Sequence, residues 1–242
     1  MNKICIILLA VLFSIGNVYA KGLEEASNKG VDYAKKGMYD QAITEFSKAI
    51  EIDPNIATTY YNRGCSYMDK GRVDQALADF NKAIEINANY GGAYSNRGNI
   101  FLLKGLIDQA LFDFNKAIEI SPNNAAAYNN LGYIYMIRGN VDQALADFNK
   151  AIEIDPNYAL AYRNRSEIYV KKGRLEQSIA DCTKAIEIKS GYGEAFWDRA
   201  VSYFHRKEYD KSWDDLYKAE AAGIKINPQF LEALKKASGR EK

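Results

Sequence analysis

The chain has 242 residues, 48% hydrophobic and 26% charged, with 32 basic side chains against 31 acidic ones. That composition is ordinary for a folded, water-soluble chain. Near-neutrality also argues against nucleic acid, which needs a basic face, and against a purely electrostatic hold on membranes.

Residues 1–20 read as a secretory signal peptide. Lys3 gives the positive start, Ile4 to Ile15 the apolar run, and Val18-Tyr19-Ala20 a small-residue cleavage site after Ala20. The apolar run is short for a membrane span of ~20 residues. An exported chain in the periplasm or outside the cell is therefore expected, the alternative being a tether through an uncleaved leader. Cys65 and Cys182 remain beyond the leader, more than three repeats apart, and are expected to stay unbridged.

After the leader the sequence repeats itself. Val73 to Ile86 returns unchanged at Val141 to Ile154, and at Ile107 to Ile120 only Ile107 and Phe112 differ. Looser copies begin at Tyr39, Leu175 and Tyr209, always at intervals of 34 residues. Such a period marks a solenoid. Six repeats follow, at 23–56, 57–90, 91–124, 125–158, 159–192 and 193–226. Each reads as two short amphipathic helices. Gly37, Gly71, Gly105, Gly139 and Gly173 fall at the turn between them, and Pro54, Pro122 and Pro156 follow the second helix. Small residues (Gly30, Gly64, Gly98 and Gly132; Ala42, Ala76, Ala110 and Ala144) alternate with large ones such as Phe46, Phe80, Phe114 and Phe148. Helices this short are marginal alone and hold by stacking on neighbours. Residues 227–242 read as a capping helix opened by Asn227-Pro228, with a tail that frays from Ser238. The rows Asp40, Asp74, Asp142 and Lys48, Lys82, Lys116 suit the two ends of the helix dipole.

The period and the recurring small, aromatic and proline positions resemble the tetratricopeptide repeat family over about residues 23–226. The resemblance implies an all-α, right-handed solenoid of helix-turn-helix repeats whose first helices line a concave groove, and a protein or peptide partner. The family's usual leucine before the first-helix glycine survives as Leu131. Arg63, Arg97, Arg165 and Arg199 replace it, and Asp79, Asp113, Asp181 and Asp215 lie 16 residues on, which predicts ion pairs.

No acid, base and nucleophile come together in the pattern, so an enzyme is not expected. His205 is the single histidine and reads as structural; no cysteine pair has metal spacing, and no cofactor or metal is implied. Asn164-Arg165-Ser166 fits a glycosylation sequon but falls inside a predicted helix. The groove position that stands out is an amide row: Asn28, Asn62, Asn96, Asn130 and Asn164, completed by Asp198. Asparagine is a poor helix residue, so its recurrence needs a reason. One reason is a ladder of amides on a partner's backbone, with variable neighbours (Tyr61, Asn129, Arg163, Trp197; Asn99, Tyr133) choosing among ligands. The other is satisfaction of local groups between repeats. Leu102, Leu103, Met136 and Ile137 add apolar character, either as packing or as an exposed patch. The basic residues of the family's carboxylate clamp are missing: its places hold Ser27, Val31, Asn62, Gly92 and Asn96. The expected function is an adaptor that binds a peptide segment or protein surface in its groove; the alternative is an envelope component that self-associates, as a homo-oligomer, without a separate ligand.

Overall fold

Each 34-residue period folds as two helices joined at its glycine. The computed structural model describes residues 3–240, with side chains from Tyr19 onward, so all of the predicted leader but its last two residues falls outside the described side chains. Among the described residues there are thirteen α-helices and no strand. They form two compact units, Met1–Pro122 and Asn123–Lys242. In the first, α1 (Lys3–Lys35) packs on α2 (Tyr39–Ile52), α3 (Ala57–Asp69) on α4 (Val73–Ile86), and α5 (Gly91–Leu103) on α6 (Ile107–Ile120). Helices α2 and α4 also pack on the first helices that follow them, α3 and α5. The second unit repeats the scheme: α7 (Ala125–Ile137) with α8 (Val141–Ile154), α9 (Ala159–Lys171) with α10 (Leu175–Ile188), and α11 (Gly193–His205) with α12 (Tyr209–Ala221). Successive pairing of this kind is the all-α solenoid expected from the sequence. No described helix is long and apolar enough to cross a membrane.

The turn glycines take the left-handed conformation, with φ of 71° at Gly37, 70° at Gly71 and 76° at Gly139. Gly71 N–H donates to Met68 and Arg72 N–H to Tyr67, both at 2.8 Å, which closes the first helix. At the sixth turn the glycine is replaced by Lys207, the one described non-glycine residue with positive φ, 62°. The prolines matter less than the sequence suggests. Helices α4 and α10 stop at the same place as α2 and α8, on an extended Asn87 or Lys189, with no proline nearby.

The first-helix glycine and the second-helix phenylalanine form one packing unit. A Cβ on Gly30, Gly64, Gly98 or Gly132 would stand 2.6–2.8 Å from the ring of Phe46, Phe80, Phe114 or Phe148. Those four rings are fully buried. Where the first helix carries Ser166 the partner shrinks to Cys182, and the thiol donates to the Ser166 hydroxyl at 3.2 Å. Where it carries Ala200, the second helix has Leu216. Close packing therefore forces size on one helix to be traded against size on the other.

Helix α13 (Pro228–Ser238) closes the second unit. Asn227 accepts from Gln229 N–H at 2.8 Å, and Pro228 occupies the first turn. Phe230, Leu231 and Leu234 cover Trp213, Leu216, Trp197 and Phe204. At the tail, Trp213 Nε1 donates to the Ser238 hydroxyl at 3.0 Å, and Arg240 pairs with Asp210 at 2.8 Å. Residues 241–242 lie outside the described residues.

Candidate functional site

The amide row lies on the first helices, and its members face different surroundings. Asn28 is exposed, Asn62, Asn96 and Asn130 are half-buried, and Asn164 is buried. Asn96 donates through Nδ2 to the Tyr61 hydroxyl at 3.3 Å and to the Cys65 sulfur at 3.4 Å. Asn164 Nδ2 donates to Asn129 Oδ1 at 2.9 Å, and Asn129 donates in turn to Asn130 at 3.2 Å. Arg163 Nε donates to Asp198 at 2.8 Å. In all three cases a residue of the row meets one that lies 35 positions earlier, one repeat plus one residue. Asn96, Asn164 and Asp198 are therefore tied to the variable row beside them, across the joint between neighbouring helix pairs.

This arrangement separates the predicted groove residues. Asn129 and Asn164 are buried against each other. The Tyr61 ring lies over the Cα of Gly92, packs on Tyr90 at 4.9 Å, and has its hydroxyl pushed upward in pKa, chiefly by burial. The Trp197 ring meets Phe230 of α13 edge-on at 4.8 Å, so the capping helix covers part of it. Tyr133 stands out instead: 39% of its surface is exposed, beside Ile137 at 51%. In the other unit Leu103 is 74% exposed. Met136 is buried, so of the predicted apolar set it belongs to the packing. Asn99, on α5, is half-buried.

The Arg–Asp pairs take the predicted partners. Arg63, Arg97, Arg165 and Arg199 each fork onto Asp79, Asp113, Asp181 or Asp215 with Nε and Nη2 at 2.6–2.9 Å. The third guanidinium nitrogen reaches a side chain of the preceding second helix: Ser47, Asn81, Asn149 or Thr183. Two aromatic rings flank each guanidinium, as Tyr60 and Tyr67 flank Arg63. Burial pushes the Asp181 carboxyl upward even under Arg165. It pushes Asp147, which has Leu131 in place of an arginine, up to about 6. The aspartate row reaches the next pair, Asp40 to Lys70, and Asp74 and Asp142 to Lys104 and Lys172 at 2.7 Å, whereas Lys48, Lys82 and Lys116 bond within their own helices to Glu45, Glu85 and Glu119.

Neither thiol is poised for chemistry. Burial raises Cys65 and pushes Cys182 to about 12, so both stay protonated at neutral pH. Two residues escaped the sequence reading: Phe112, 57% exposed where the sister copies have alanine, and Leu106, exposed where they have Arg72 or Asn140. With Phe101, Arg97 and Gln109, Phe112 lines a shallow cleft beside the Arg97–Asp113 pair. The departure of these two from an otherwise repeated sequence was the available signal.

Paired helices with side chains spent on joining one pair to the next define a repeat scaffold for protein–protein interaction, and the chain belongs to the tetratricopeptide repeat family. Family models described as "Tetratricopeptide repeat" or "TPR repeat" match residues 57–90 and 125–158, 30–69 and 98–136, and 148–180, together more than half of the chain. Members of the family are in general non-enzymatic scaffolds. Among solved structures, one of MamA protein is 26% identical, with 70% of this chain and 93% of that one covered at a TM-score of 0.58. YrrB, described as a TPR protein with an unusual peptide-binding site, is 24% identical, with 80% and 97% covered at 0.59. Pseudomonas aeruginosa pilF is 15% identical, with 89% and 98% covered at 0.78, and speaks for the fold alone. No curated protein matches the chain in sequence.

Proposed function

We propose that the chain is a non-enzymatic adaptor that holds a segment of a partner protein on its first-helix face, with α7 as the principal grip. The observation that carries this reading is the contrast between α7 and α9. On α7, Tyr133 and Ile137 stand one turn apart and exposed. At the same two places of α9, Glu167 and Lys171 form an exposed ion pair at 2.8 Å. The scaffold has no packing need for apolar side chains there, so the two on α7 are surface that a partner's apolar residues would remove from water. Asn130, next to them, belongs to the amide row and fixes register, while the side chains around it select the partner.

The test transplants α9 onto α7. A photo-crosslinker at Tyr133 first identifies the partner in cells. The double variant Tyr133→Glu, Ile137→Lys should then bind that partner at least about tenfold more weakly, the loss of two apolar contacts, with an unchanged melting temperature. Unchanged affinity would end the proposal. We also propose, from the sequence of residues 1–20, that the chain is exported to the periplasm or beyond. N-terminal sequencing of the native protein should then begin at Lys21; a start at Met1 in a cytoplasmic fraction refutes it.

A further inference from the structure

One position of the second helix is aspartate in five repeats, Asp79, Asp113, Asp147, Asp181 and Asp215, and all five are buried, at 6% exposure or less. Four of them show what the position holds. A guanidinium forks onto both carboxylate oxygens, and its carbon lies 5.3–6.0 Å from the centres of two rings. Those rings come three residues before and four after the arginine, as with Tyr94 and Phe101 around Arg97. The repeat at 125–158 keeps the carboxylate as Asp147 and both ring positions as Tyr128 and Tyr135. It changes the arginine to Leu131, which is buried and offers no donor.

Asp147 is covered as deeply as its sisters. Its Oδ2 has no hydrogen-bond partner, and its Oδ1 receives only a long contact of 3.4 Å from the Gln143 amide. Buried carboxylate oxygens are ordinarily satisfied, because nothing else offsets the loss of water. Gln143 is itself exposed, so its side chain can leave the carboxylate without unpacking the helix.

We propose that Asp147 is a receptor for an arginine side chain of a partner protein. The guanidinium displaces Gln143, forks onto Asp147 and lies between Tyr128 and Tyr135, with its stem against Leu131. The four sister repeats select the ligand class. A planar guanidinium matches the two oxygens and the two ring faces together, whereas an ammonium is a point donor and meets one oxygen at a time. The inference is independent of the Tyr133 and Ile137 grip, since it uses different side chains and a different ligand.

Calorimetric titration of the full chain tests it, with N-acetyl-arginine amide, N-acetyl-lysine amide and a capped Gly-Arg-Gly tripeptide as probes. The arginine amide should bind with a millimolar Kd, about tenfold tighter than the lysine amide. The tripeptide should bind at least as well, as it must if the arginine comes from a polypeptide. Binding should disappear in Asp147→Asn and in Leu131→Arg, the second filling the site from within. Leu131→Arg should fold with an unchanged or higher melting temperature, because it recreates the pairing of the sister repeats. No saturation with the arginine amide, equal binding of lysine, exclusion of the tripeptide, binding retained in Leu131→Arg, or failure of that variant to fold would each overturn the proposal.

Discussion

The trade of size between the paired helices can be tested by moving one repeat's solution into another. In the repeat at 91–124, Gly98 faces Phe114; in the repeat at 159–192 the same places hold Ser166 and Cys182. A Cβ at Gly98 would stand 2.8, 3.0 and 3.2 Å from Phe114 Cε1, Cδ1 and Cζ. Gly98→Ser alone therefore overpacks a fully buried ring and should cost about 1–3 kcal/mol, slightly reduced by serine's better helix propensity. Phe114→Cys alone empties most of the ring's volume and should cost about 3–4 kcal/mol. The double variant removes the clash and lets the thiol donate to the new hydroxyl, as Cys182 does to Ser166 at 3.2 Å. It should be less destabilised than the sum of the singles by about 1–3 kcal/mol, the clash that no longer exists. Urea unfolding gives the three differences. Hydrogen exchange in α5 and α6 should accompany it, because a stacked array need not unfold in one step. Additivity within about 0.5 kcal/mol would refute the exchange.

Three further outcomes are expected. Lys207→Gly relieves a left-handed lysine and should raise stability by about 1 kcal/mol in thermal unfolding; a loss would mean that the turn is not strained. For Asp147 the sign follows from a folded pKa of about 6 set above an unfolded value of about 4. The folded state binds the extra proton between those values, so this contribution to stability is present below pH ~4 and lost as pH rises through ~6. Asp147→Asn should therefore gain on the wild type across that window and stay ahead by about 1–3 kcal/mol at pH 7.5; a difference that does not change with pH refutes it. Asn129→Ala leaves the buried Asn164 amide without its acceptor and should cost about 1–3 kcal/mol in urea unfolding, against under about 0.5 for Asn28→Ala on the exposed end of the row.

Much of this molecule can be read from its letters, because a strict period fixes which residues share a place. The glycine turns, the two helices per repeat and the arginine forks at 16 residues all follow from that register. The direction of the amide row does not. A helix position names a face, but whether the next pair lies over that face depends on the angle at which pairs stack, so Asn96 and Asn164 turned to neighbours that the 34-residue alignment never brings together. The shift of 35 was visible in one place: Asp198 departs from asparagine where Arg163 stands in the preceding repeat. The Gly98–Phe114 exchange needed distances: Ser166 and Cys182 depart from their rows in the same repeat, but only the structure shows that the two places touch. Asp147 was within reach, because the arithmetic that gives four aspartates an arginine leaves the fifth over.

The identity of α4 and α8 has a consequence for how the chain finds its shape. Fourteen letters without a difference mean that neither helix carries an address, and α3 or α7 could accept either one. What decides is the tether. Three residues, Lys70 to Arg72, separate α3 from α4, and the same number separates α7 from α8. So short a loop keeps the native mate at an effective concentration near the millimolar range or above, where a distant twin or another molecule cannot compete. Lengthening that loop would leave the two helices interchangeable, and exchange between molecules would follow.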